Sequence, residues 1–317
     1  MGVFVFLPLV LPLTALPIAR LTEQHLHPRG AARLLTGISI VMALCSALCL
    51  GLIGVVGTAQ IPGNPLPDSW SDPEVRAALP YHETVGTAAL LVLAVVFVAL
   101  VRTVARHLRI RARARRALGR ALPGASDVAL LPDSAPYAYA LPGSLRSPGR
   151  VVVSTGMLAG LADDERAALL AHERAHLAHR HHRHLLATQL AGCVNPFLRP
   201  LQRAVAYSAE RWADEESAQA VGDRRITARA VARAALASHR APAYAAFPAF
   251  AAPGPGPVPR RVAALLGPVP SSRNWPPART PAGLAALVAA LGTAASAVSA
   301  LNAAVALLLV LKAVTPL

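Results

Sequence analysis

Two histidines stand four residues apart, with a glutamate directly after the first, in the stretch Leu169-Leu-Ala-His172-Glu173-Arg-Ala-His176-Leu-Ala-His179. On a helix, residues at this spacing lie one above the other. Both imidazoles can then reach one zinc ion at about 2.0–2.1 Å. Glu173 points just beside them, where it can take a proton from a water on the metal without being a ligand. A catalytic zinc site needs three protein ligands and one open position. Downstream, Glu210-Arg-Trp-Ala-Asp214-Glu215-Glu216 offers the missing carboxylate in Glu210. Asp214, one turn further on the same face, can accept a hydrogen bond from the outer ring nitrogen of a ligating histidine and so fix its tautomer. The competing reading is a solvated histidine-rich helix beside an ordinary acidic one, because six of the eleven histidines fall between His172 and His184. Against it, the surrounding region is strongly basic, and its acids are concentrated where a metal site needs them.

These residues require two helices. The first is expected from near Asp163 to about Ala191, ahead of the Asn195-Pro196 break. Asp163, Asp164 and Glu165 in its first turn favour the helix dipole. The second is expected from about Pro200 to Val221, and a third from about Arg224 to Ser238. Upstream, Asp127 to Leu131, Tyr137 to Leu141 and Arg150 to Ser154 read as short strands separated by Pro/Gly/Ser turns, and Thr155 to Leu161 as a short helix. Residues 241–259 are Ala/Pro/Gly-rich without a period and read as a loop. Arg260 to Leu266 reads as a short amphipathic turn.

The rest of the chain is a membrane story. Of 317 residues, 54% are hydrophobic, above the roughly 45–50% of ordinary soluble domains. Four apolar runs are candidate spans, at residues 3–19 (kinked by Pro12 and Pro17), 34–59, 84–101 and 283–311. A cleaved signal peptide is the rival reading of the first run, disfavoured by the lack of a basic residue ahead of it. The net charge is +15, almost all arginine, with Lys312 the only lysine. Its concentration beside apolar runs points to topology rather than nucleic-acid binding. Arg102, Arg106, Arg109, Arg111, Arg113, Arg115, Arg116 and Arg120 follow the third run with no acid between them, and are expected to continue that helix beside anionic headgroups. The acidic 60–83 loop is then outside, as are both termini, and residues after Arg102 are cytoplasmic. Cys45, Cys49 and Cys193 form no disulfide framework. The expected fold is a mainly α, multi-span membrane protein with a cytoplasmic α+β domain carrying a small β-sheet. It divides into residues 1–101 (three spans), 102–281 (cytoplasmic domain) and 282–317 (fourth span).

The pair Leu-Ala-His172-Glu173-x-x-His176 and Glu210-x-x-x-Asp214-Glu-Glu-Ser-Ala resembles integral-membrane zinc metallopeptidases of the antirepressor (BlaR/MecR-like) type, whose core is shared with HtpX-like and CAAX prenyl peptidases. The segment Ala138-Tyr139-Ala140-Leu141-Pro-Gly and Gly149-Arg-Val-Val-Val-Ser154-Thr-Gly-Met-Leu is similar to their upstream pattern, so the resemblance covers roughly residues 100–270. It implies a gluzincin-like domain with one Zn2+ per chain held by His172, His176 and Glu210, with Asp214 orienting a ligand. Glu173 is then the general base, taking a proton from water at the zinc and returning it to the leaving amine. Related peptidases add the substrate to a strand edge, which makes Tyr137, Ala138, Tyr139 and Ala140 the candidate substrate strand. Tyr207 and Arg211 are two candidates for an oxyanion donor. The implied function is hydrolysis of a protein at the cytoplasmic face of the cell membrane. The substrate expected from the resemblance is a BlaI/MecI-type transcriptional repressor, or the protein itself. HtpX-like quality control of membrane proteins is the alternative, and a non-catalytic zinc-binding membrane sensor the reading from another class. The partners expected are that protein substrate and the lipid bilayer, with no direct nucleic-acid contact. The full sensors carry a penicillin-binding domain after the last span; none follows here, so β-lactam sensing is not expected. The remaining histidines, His179, His181, His182 and His184, read as solvated or as adventitious metal binders.

Overall fold

The computed structural model describes residues 3–58, 82–121, 126–144, 148–239, 258–270 and 279–314. Helical turns at Val3–Phe6, Leu7–Val10 and Leu11–Thr14 lead into α1 (Ala15–His25), followed by α2 (Pro28–Thr58) and α3 (His82–Ala121). Strands β1 (Val128–Leu131), β2 (Ala138–Leu141) and β3 (Arg150–Ser154) come next. The remaining helices are α4 (Thr155–Ala159), α5 (Asp163–Ala178), α6 (His181–Val194), α7 (Arg199–Val221), α8 (Arg224–His239), α9 (Val258–Leu266) and α10 (Pro281–Val314). The acidic loop expected outside the membrane and most of the 241–259 loop lie outside the described residues.

Among the described residues three helices are long and apolar enough to cross a membrane, over Pro28–Val55, Thr84–Leu118 and Ala286–Val310. Only 11% of the apolar window on α3 is buried in the protein, so Leu91, Val95, Phe97 and Val98 face outward, as a lipid-contacting surface does. The α3 helix runs without a break through its arginines to Ala121. The first expected span is helical but not one helix, and none of its pieces is long enough alone to cross. Pro12 has no N–H to give the Pro8 carbonyl four residues back. Instead Ser46 Oγ on α2 donates to Pro8 O at 2.8 Å, while Asn195 Nδ2 donates to Leu9 O and to Ser46 Oγ, each at 3.1 Å. This polar knot ties the N-terminal turns to α2 and to the corner before α7.

The helix that carries Glu210 is not held apart from the apolar helices. Ile18 of α1, Leu35, Ile38 and Met42 of α2, and Leu201 and Val205 of α7 share one buried cluster, which Ala289 of α10 joins. Residues from all three expected divisions of the chain thus meet in this one buried cluster.

The three strands form one sheet in the order β1-β3-β2, with β1 parallel and β2 antiparallel to β3. Val151, Val152 and Val153 are fully buried, which explains why β3 is an unbroken apolar run rather than an alternating one. The β2 strand is left at the edge. Ser154 Oγ caps α4 by accepting from Met157 N at 3.1 Å. Val153, Met157, Leu161 and Leu169 then pack α5 onto the sheet.

The long helix expected from Asp163 to Ala191 is two helices. Its start is as expected, with Glu165 accepting from Ala162 N at 3.0 Å. It stops at Ala178, because Arg180 adopts a left-handed conformation (φ 53°) and the chain turns into α6. That conformation costs an L-residue roughly 1–2 kcal/mol, so neither glycine nor proline announced the break. By contrast, α7 ends at Gly222 (φ 73°), a conformation glycine adopts without that penalty.

Candidate metal centre

Because His172 and His176 lie one turn apart on α5, both point their Nε2 atoms at Glu210 on α7. The Nε2 atoms are 3.1 Å apart. His172 Nε2 is 3.6 Å from Glu210 Oε2, and His176 Nε2 is 3.5 Å from Glu210 Oε1. A tetrahedral zinc ion with bonds of about 2.0–2.1 Å holds its ligand atoms about 3.3–3.4 Å apart. The two nitrogen–oxygen distances run to different oxygens of the carboxylate. With one donor atom from each residue, the three lie within 4.8 Å of one another, near enough to converge on one ion, and two nitrogens with a carboxylate are a donor set zinc accepts. Among the described residues this is the one His/Cys/Asp/Glu group whose donor atoms converge tightly enough for a metal.

The surrounding charges explain how three donors persist side by side. His172 Nδ1 lies 3.1 Å from Asp214 Oδ1 as an ion-pair contact, though not aligned along the N–H direction. Asp214 is fully buried and gripped by Arg261 of α9, with Nη2 to Oδ1 at 2.6 Å and Nε to Oδ2 at 2.8 Å. The same guanidinium reaches Glu210 Oε2 through Nη1 at 2.8 Å. Burial alone would raise the Glu210 and Asp214 carboxyls, but Arg261 and the histidines outweigh it and hold both below the usual carboxylate range. For His172, burial opposes the charged form, yet the Asp214 and Glu210 carboxylates push it up to about 10. Burial pushes His176 down to about 4. The metal-free site therefore carries one imidazolium and one guanidinium against two carboxylates. Glu173 is pushed up to about 7, chiefly by burial, close to the poise of a general base at neutral pH.

A cavity of about 320 Å3 opens on this cluster. Tyr137, Ala138 and Tyr139 line one wall, and Met157, Leu169 and Val231 line an apolar one. Ser154 N donates to Tyr137 O at 3.0 Å, which sets the β2–β3 register. Tyr137 and Tyr139 thus turn their backbone polar groups to β3, and Ala138 and Ala140 turn theirs to the free edge. The Ala140 N–H is already engaged with Glu173. Within the expected substrate strand, Ala138 is the residue with both its N–H and its C=O open at the edge, and the tyrosines contribute cavity wall.

Two sequence expectations need correction. Arg211 and Tyr207 do not face the cavity: Arg211 bonds Glu215 at 2.9 Å, Tyr207 lies under Arg260, and both line a groove on the other side of α7. The cavity-facing cation is Arg261, which lies 47 residues after Asp214. Only a local signal, the amphipathic pattern of α9, was visible there. Of the extra histidines, His179, His181 and His184 are held by contacts within the fold rather than free in solvent. His181 is fully buried with Nδ1 2.9 Å from His176 Nδ1. His179 pairs with Glu216 at 3.0 Å and stacks on Trp212, and His184 bonds Thr36 on α2 at 3.1 Å.

With this geometry in place, the likeness to known proteins is specific. Residues 101–191 match the family described as Peptidase family M48. That segment contains His172, Glu173 and His176 and ends before Glu210. Three curated relatives are similar over much the same share of the chain. The Protease HtpX homolog of Janthinobacterium sp. (strain Marseille) is 38% identical over 92 residues, 28% of this chain and 31% of its own length. Those of Bordetella petrii and Bordetella avium are 38% and 39% identical over 88 residues, again 28% of this chain and 29% of theirs. The chain thus spans about a third of the length of the curated relatives it matches. No solved structure matches. The segment that presents the two histidines is accordingly similar to the core of HtpX-type metallopeptidases.

Proposed function

We propose that this protein is a membrane-embedded zinc endopeptidase. The observation that carries the reading is the convergence of His172, His176 and Glu210, with Glu173 beside them and a cavity edged by a free strand. Zinc, when bound, supplies a Lewis acid that polarises the scissile carbonyl and makes a water molecule more acidic at neutral pH. The chain's own residues do the rest. An extended substrate segment adds to the free edge of β2 through Ala138. Glu173 takes the proton from the attacking water and delivers it to the leaving amine. Asp214 orients His172, and Arg261 keeps Glu210 and Asp214 ionised as ligand and partner.

The substrate is a protein whose extended segment reaches the cytoplasmic face. The arginines after Val101 support that orientation, and the packing of α7 on α2 keeps the site close to the membrane. The HtpX-type similarity favours membrane-protein quality control. The Glu210–Asp214-Glu-Glu-Ser-Ala motif motivates a BlaI/MecI-type repressor as the second reading. Purified full-length protein in detergent, incubated with casein and with a BlaI-type repressor, tests both. Cleavage is expected to stop on chelation and return with zinc, and to be absent in Glu173→Ala. Undiminished cleavage by Glu173→Ala sinks the mechanism.

A further inference from the structure

The geometry points to His181 as the residue that fixes the tautomer and aim of the metal ligand His176, an imidazole-to-imidazole support distinct from the carboxylate support of His172. The inference rests on the metal-site reading above.

His172 and His176 are backed differently. His172 turns Nδ1 toward the Asp214 carboxylate. His176 turns Nδ1 toward His181 Nδ1 at 2.9 Å, with the two rings edge-on at 88°. One proton must lie between those two nitrogens, and its side decides whether His176 can ligate. If His181 keeps it, His176 Nδ1 accepts, its proton sits on Nε2, and Nε2–H points at His172 Nε2, 3.1 Å away. That arrangement leaves His176 no lone pair for a metal. If His176 Nδ1 keeps it, Nε2 is bare and faces Glu210 and the metal position, and His181 Nδ1 is the acceptor. A ligand histidine generally donates its outer N–H in this way.

Two further observations show that His181 is held for the task. It opens α6 directly after Arg180, whose left-handed backbone sets the turn between α5 and α6. A strained non-glycine turn beside a site persists only where its surroundings impose it. The ring is also completely buried and packed 4.7 Å from the Trp212 ring of α7, the helix that carries Glu210. Its Nε2 has no hydrogen-bond partner among the described residues. The bare Nε2 does not itself place the proton; the lone pair that His176 Nε2 needs for a metal does, and it puts the shared proton on His176 Nδ1.

The test is zinc affinity of the full-length protein in detergent, measured by competition with a chromophoric chelator. His181→Leu, which fills the space without an acceptor, is expected to weaken zinc binding about 10–100-fold. His181→Asn, whose Oδ1 can accept from His176, is expected to recover most of that loss. The Co2+-substituted proteins should differ in the same order in their visible absorption. Equal affinity in wild type and His181→Leu overturns the inference, as does His181→Asn binding as weakly as His181→Leu, which marks a packing role. Should His181→Leu fail to fold, 15N-histidine NMR of zinc-loaded wild type decides. A proton on His176 Nδ1 and none on His181 Nδ1 is expected, and the reverse overturns it. Failure of the metal-site reading looks different: wild type and His172→Ala would then bind zinc equally.

Discussion

Replacing Arg261 by Gln removes the guanidinium that bonds both Glu210 and Asp214. Its side chain is 11% exposed and that of Asp214 is fully buried, so solvent screens the pair weakly. At about 4 Å between charge centres and an effective dielectric of about 20, one such attraction is worth about 4 kcal/mol. Removing one partner of a buried pair typically costs about 3–5 kcal/mol, because the other charge is stranded. The metal-free protein retains the His172 imidazolium beside the same carboxylates, so the lower end, about 3 kcal/mol, is expected for Arg261→Gln. The assay is denaturant unfolding in detergent with chelator at pH 7. Asp214→Asn and the double variant complete the cycle. If charge stranding is the cause, the double variant is less destabilised than the two singles together by at least about 1.5 kcal/mol. A single-variant loss below about 0.5 kcal/mol, or strict additivity, refutes the reasoning.

Other consequences follow from the same geometry. His172 is protonated up to about pH 10 without metal, and zinc must displace that proton. Affinity should therefore rise with pH, by up to about tenfold per unit between about pH 6 and 8, seen by calorimetry as proton release; a flat profile contradicts the charge assignment. Asp214 has a depressed carboxyl, so its contribution to stability is complete above the ordinary value of 3.8 and is lost as pH falls through the lower folded value. Arg261→Gln should flatten that acid limb of the unfolding curve. Asn195→Leu leaves the Leu9 carbonyl and Ser46 hydroxyl without their donor and should cost about 1–3 kcal/mol in unfolding; an effect under about 0.5 kcal/mol removes the knot from the account. Ala138→Pro deletes the free-edge N–H and should weaken substrate binding about fivefold, the equivalent of about 1 kcal/mol, read as a raised KM; an unchanged KM argues against strand addition.

Much of the site was legible because helical periodicity is local. The four-residue spacing of His172 and His176, and of Glu210 and Asp214, placed each pair on one face before any tertiary contact was known. The three strands could be read from their β-branched runs and Pro/Gly boundaries, and α9 from its amphipathic pattern. What escaped depends on distant partners. Arg261 looks like any other basic residue in a chain rich in them until α9 folds over α7. The stop after Ala178 has no glycine or proline signal, since Arg180 is driven into a left-handed turn by its surroundings. His181 therefore seemed to continue an exposed helix face, when the turn returns it to His176. The N-terminal run reads as one span by hydropathy, whereas Pro8 and Pro12 break its backbone bonding and Ser46 and Asn195 supply the replacements.

The most direct measurement is the metal content of purified full-length protein beside Glu210→Ala, with folding of both checked by circular dichroism. The account expects about one zinc per chain in the wild type and little in the variant, since three donors are the minimum for a catalytic site. Equal zinc in both proteins would mean that the later helix supplies no ligand, and would contradict the account.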